Sequence, residues 1–138
     1  FPSCQEYHNS DGVHRQYCGI LGKTENCQAG VYVGYSSAKG YGLVDRRLYL
    51  PEKWCSDEFL ELRQKCGIPE DVKFQAKADI ASDMIKNAID SGKFPVKWIG
   101  CDSFFGRNKA FLASLPESCY YFVGIPDNLL VFTEMPID

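Results

Sequence analysis

The hydrophobic rhythm of the chain changes at about residue 28. Residues 1 to 16 are polar and irregular, whereas QAGVYVGYSSAKGYGLVDRRLYLP follows from Gln28. There Val31, Val33 and Tyr35 alternate with Tyr32 and Gly34, a period of two that predicts a strand because successive side chains point to opposite faces. SSAKG supplies a turn, with Gly40 able to take a positive φ angle. Tyr41 to Leu50 predicts a second strand, ended by Pro51. Together they predict an antiparallel hairpin.

The period then lengthens. Ser56 is placed to cap a helix whose first turn carries Asp57 and Glu58, and Phe59, Leu62 and Cys66 follow at helical spacing until GIP stops them at 67 to 69. A stronger helix is predicted over 78–91. Ile80, Met84 and Ala88 form one stripe, Ala81, Ile85 and Ile89 widen it, and Gly92 ends it. VKWIGCD reads as a strand, NKAFLASL as a short helix and CYYFVGIP as a further strand. Strand and helix alternating in the second half predict parallel pairing through right-handed crossovers. The expectation is an α/β fold, a mixed sheet with an N-terminal antiparallel hairpin and helices on its faces.

Composition narrows this little. At 138 residues, 45% hydrophobic and 24% charged, the chain is expected to form one domain over 1–138. Its formal net charge of −3 gives no overall basic field to argue for nucleic acid. Seven cysteines at 4, 18, 27, 55, 66, 101 and 119 are odd in number and irregular in spacing. They read as reduced cytoplasmic thiols filling a core rather than as a disulfide framework. His8 and His14 lie near Cys4 and Cys18, but the spacing fits no zinc pattern. The longest apolar run, Cys119 to Ile125, is far too short to span a bilayer, so no membrane partner is expected. Phe1 at the start, and VFTEMPID at the end without a cap or stop, predict a piece of a longer protein.

The residue that stands out chemically is Asp102, at the exit of the apolar strand WIGC. Ligands of α/β sheets gather beyond the carboxyl ends of parallel strands, which points to a metal ligand or an acid-base group. An Asp after a strand equally often starts a turn or caps one, and the pattern alone leaves the two readings level. Arg107 and Lys109 in GRNK lie close by in sequence and suit a phosphate contact or a plain helix-start loop. Arg46 and Arg47 suit bidentate phosphate binding, against the simpler reading of a solvated strand end. Lys77 stands ahead of the long helix, where a cation gains nothing from the dipole; it is either a DNA contact or, more simply, a solvated loop lysine. Tyr120, Tyr121 and Phe122 read as core aromatics rather than base-stacking groups. Cys18 with His14 offers the residue types of a thiol enzyme and nothing more.

RQYCG, DRRLYLP, GIPEDVKF, WIGCDSFFGRN and YYFVGIP occur in the order found in bacterial insertion-sequence transposases. The chain resembles the DDE, ribonuclease-H-like group of these enzymes over nearly its whole length. The resemblance implies a ribonuclease-H-like mixed sheet, incomplete at both ends, with WIGCD as its fourth strand and Asp102 as the second acid of the triad. The first acid precedes a Phe-Pro pair in the group, so Phe1-Pro2 would place it just outside this sequence. The third, a glutamate, would lie beyond Asp138, and neither Glu134 nor Asp138 is assigned that role. It implies Mg²⁺ (or Mn²⁺), DNA as the element ends and the target, and a transposase oligomer. Cleaving a phosphodiester in this way uses two ions roughly 3.5–4 Å apart held by convergent carboxylates, so one carboxylate alone does not suffice. SCQEYHNSD departs from the basic, glycine-containing turn usual after Phe-Pro. The departure keeps a non-catalytic DNA-binding fragment, or a decayed copy, as the alternative.

Overall fold

The computed structural model describes residues 11–129. The predicted hairpin is there as β3 (Ala29–Ser37) and β4 (Gly40–Tyr49), joined by a tight turn in which Gly40 has a φ of 142°. The register shifts at Val33/Gly34, where Val33 faces Asp45 and Gly34 faces Leu43, so Val44 is the extra residue of a β-bulge. The long helix, α2 (Lys77–Asp90), buries Ala78, Ile80, Ala81 and Met84 and ends at Gly92 with a φ of 65°. The parallel pair is also present: β5 (Trp98–Cys101) aligns with β6 (Tyr120–Val123) through α3 (Ser103–Gly106) and α4 (Lys109–Ser114). Met84, Ile80 and Ala81 of α2 join Val31, Ile99, Phe111 and Leu115 in the core, so one helix fastens the hairpin to the parallel pair.

Four expectations are corrected. Residues 14 to 27 form an antiparallel pair, β1 (His14–Cys18) with β2 (Lys23–Cys27), whose first strand begins inside the stretch 1 to 16 that was expected to be irregular. Only Cys18 and Cys27 are buried in it, which leaves no apolar alternation to detect. Ser56 does not cap a long helix. Its hydroxyl donates backward to the Lys53 carbonyl, two 3₁₀ turns cover Glu52–Cys55 and Asp57–Phe59, and the helix proper, α1 (Leu60–Lys65), has six residues. Gly67, at a φ of 69°, then ends α1 as expected, with Ile68 N–H on the Arg63 carbonyl at 3.0 Å and Gly67 N–H on the Gln64 carbonyl at 3.1 Å.

The third correction concerns the sheet. Among the described residues the strands pair as three separate two-stranded sheets rather than one mixed sheet. β3 and β5 each have one edge without a strand, and a cavity of about 570 Å³ lies between them. Ala81, Ile85, Ala88 and Ile89 of α2 contribute to its wall. Tyr35 reaches across it to Phe94, with ring centroids 5.2 Å apart, and its hydroxyl donates to the Pro95 carbonyl. The architecture is mixed α/β, with two antiparallel hairpins, one parallel pair and helices. The fourth correction is that Tyr120, Tyr121 and Phe122 are exposed, as is Trp98, which leans on Tyr120 at 5.0 Å. Of their strands only Ile99 is in the buried core; Trp98, Tyr120 and Phe122 share the opposite face, and Tyr121, in register with Ile99, is exposed as well.

Candidate functional site

Asp102 follows β5 directly and lies at the carboxyl end of the parallel pair. Its Oδ1 accepts the Phe104 N–H at 2.9 Å and the Phe105 N–H at 3.4 Å, so the residue is the N-cap of α3. The capping role is therefore real. It engages one oxygen, and neither of these bonds reaches Oδ2, while the residue itself is exposed.

The loop that holds this carboxylate is fixed by backbone contacts that need glycine. Gly124 N–H donates to the Cys101 carbonyl at 2.9 Å, which extends the β5–β6 ladder to the foot of Asp102. A Cβ on Gly106 would collide with the Gly124 carbonyl oxygen, and one on Gly124 would lie 2.9 Å from Ser103 N. The two glycines let α3 press against the end of β6. Phe105 continues the anchoring inward, 5.1 Å from the buried Phe111 ring.

Asp102 faces a second, smaller cavity of about 300 Å³, walled by Gly30, Val31, Tyr32, Lys77, Phe104 and Phe105 as well. Val31, Tyr32 and Phe105 also line the larger cavity between β3 and β5, so the two are neighbours. Lys77 is not a solvated loop lysine. It is the first residue of α2 and half-buried, with its ammonium 4.6 Å from the centre of the Tyr49 ring and 5.9 Å from that of Phe104. Burial pulls its pKa below the usual lysine value, and the nearby Cys27 thiol pushes it back up. The sequence carried a signal here: a cation where the helix dipole disfavours one.

The other sequence candidates fall outside this cavity's walls. Arg107 is exposed, and its Nε donates to the Ser103 carbonyl at 3.2 Å; Lys109 is exposed at the start of α4. Arg46 is exposed and Arg47 half-buried, opposite Tyr32 and Val31 in the hairpin, as expected for adjacent strand positions. The Cys18–His14 pairing is not formed. Four residues apart on one strand, the two are about 13 Å from each other, and Cys18 is fully buried. Sequence reasoning also missed Arg63, the one buried charged residue described, whose Nη2 donates to the Pro69 and Val72 carbonyls at 2.8 Å each. It holds the turn that leads into α2 and Lys77.

Among the described residues, no group of three or more His, Cys, Asp or Glu side chains is gathered as a metal would require. Asp102 with one oxygen committed to a cap does not by itself fit a resident divalent ion. No described helix is long and apolar enough to cross a membrane. None of the six described cysteines forms a disulfide.

Residues 5–136 match the family described as DDE superfamily endonuclease. The chain belongs to the DDE superfamily endonucleases. Membership spans all the described elements, so the sheet pairs, α2 and Asp102 are parts of a DDE endonuclease chain. Neither a curated protein nor a solved structure matches this DDE endonuclease.

Proposed function

We propose that this chain is the central part of a DDE transposase of the insertion-sequence type, which cleaves DNA and transfers the cut strand with Mg²⁺ or Mn²⁺, and that Asp102 is one of its acids. The observation that carries the reading is Asp102 at the carboxyl end of a parallel strand in a DDE endonuclease, beside a cavity and with one carboxylate oxygen outside the cap. The remaining carboxylates have to come from outside the described residues. The slot between β3 and β5 supports that, because among the described residues each of these strands has one edge without a strand partner, and the slot adjoins the cavity that Asp102 faces. A strand seated there, parallel to β5, would carry an acid next to Asp102. Arg107, Lys109, Arg46 and Arg47 serve in this reading as phosphate contacts along the DNA, and the working unit is an oligomer of the transposase in the cytoplasm.

The test is divalent-metal-dependent nicking of element-end DNA by a polypeptide extended at both ends to bring in the two further acids. Nicking is expected, and Asp102→Asn is expected to abolish it. Intact nicking by that variant removes Asp102 from the chemistry. The absence of a described carboxylate cluster favours a second reading, a fragment that binds DNA without cutting it. An electrophoretic shift with its salt dependence, in the absence of nicking, would support that reading.

A further inference from the structure

Lys77 is placed against two electrostatic preferences. It begins a fourteen-residue helix, where the dipole disfavours a cation, and it is half-buried, where desolvation disfavours the charged form. Among the described residues it makes no ion pair. Asp102 shares its cavity without approaching to ion-pair distance, and the ammonium sits over the rings of Tyr49 and Phe104. Ring faces stabilise a cation without neutralising it, so the ammonium in the cavity wall is not tied up in an ion pair. On the same wall Phe104 and Tyr32 are half exposed. A cation and aromatic faces around one concavity suit a nucleotide, with phosphate on the charge and a base against a ring.

We infer that Lys77 is the phosphate-binding residue of the Asp102 cavity, gripping a non-bridging oxygen of the DNA phosphodiester that lies beside that carboxylate. Lys77 then does from α2 what Asp102 cannot do from the end of β5: it attracts an anion toward a site whose other charged group repels it. The inference rests on the proposed reading for the identity of the ligand, a DNA phosphate. Its recognition chemistry needs no metal, and that separates the two tests.

The experiment measures anisotropy of a fluorescent DNA duplex titrated with the chain in EDTA, at several salt concentrations. The expected result is that Lys77→Gln weakens binding several-fold on any sequence and lowers the salt slope by about one. Lys77→Arg should keep most of the affinity, and Lys73→Gln, which removes an exposed charge from the same approach to α2, should change the slope less. A slope unchanged by Lys77→Gln, an equal drop from Lys73→Gln, or no DNA binding by the native chain overturns the inference. If Lys77→Gln fails to fold, amine acetylation of the native chain decides. DNA should protect Lys77 while Lys73 stays reactive, and equal reactivity with and without DNA refutes the assignment. Nicking lost in Asp102→Asn together with a Lys77-independent salt slope sinks the inference and leaves the transposase reading standing. The reverse pattern, intact nicking in Asp102→Asn with a Lys77-dependent slope, removes Asp102 from the chemistry and leaves Lys77 as the phosphate contact.

Discussion

Substituting Asp102 separates its structural role from its chemical one. As a cap it uses the single atom Oδ1 to hold the Phe104 and Phe105 amides at 2.9 and 3.4 Å. Asn presents a carbonyl oxygen in the same place and ranks with Asp as an N-cap, so Asp102→Asn should keep both bonds and lose only the charge. At an exposed, one-turn helix that charge contributes about 0.5 kcal/mol through the helix dipole. Asp102→Ala removes the acceptor and should cost about 1 kcal/mol more than Asn, or about 4 °C in Tm for a chain of this size. Thermal unfolding followed by circular dichroism reads the stability, and metal-dependent nicking by the extended protein reads the chemistry. Stability should fall in the order wild type, Asn, Ala, whereas nicking should vanish in both variants alike. The reasoning fails if Asn and Ala melt together, because the fold would then be using the charge rather than the cap oxygen. A nicking Asn variant would leave Asp102 a cap and nothing else.

Arg63→Met deprives the Pro69 and Val72 carbonyls of a buried charged donor; it should cost about 2 kcal/mol and lower Tm by about 8 °C, and a change under about 1 °C would show that the clamp contributes little. Gly106→Ala drives a methyl into the Gly124 carbonyl and should cost about 2–3 kcal/mol, while Gly42→Ala, with nothing within 4 Å of its new Cβ, should be near neutral; denaturant melts giving equal losses would refute the close-approach argument. Cys18 and Cys27 are fully buried, and burial holds the Cys27 thiol above its ordinary pKa. A native-state iodoacetamide pulse at about pH 8 should therefore spare both until the chain unfolds, and rapid native labelling of either would overturn that packing.

Much of the fold was legible because its elements carry their own period. The alternation from Val31 to Tyr35, the double stripe of α2 and the glycines that end α1, α2 and the hairpin turn are local signals, and each element formed where the signal lay. The β1–β2 pair was not legible, since it buries only Cys18 and Cys27, and an exposed polar strand has no alternation to read. Nor was the exposure of Trp98, Tyr120 and Phe122, because an aromatic strand reads the same whether or not another layer covers it.

The candidate site divides in the same way. The sequence alone determined that Asp102 leaves a parallel strand and that the chain resembles a DDE transposase. Both follow from short-range pattern and from strings of residues that need no neighbours in space. Only the tertiary structure decided that Asp102 spends one oxygen on a cap, that Lys77 from a distant helix shares its cavity, and that β3 and β5 stand apart with a slot between them. Those facts depend on which elements pack together, and side chains separated by 25 positions meet only after that packing has been chosen.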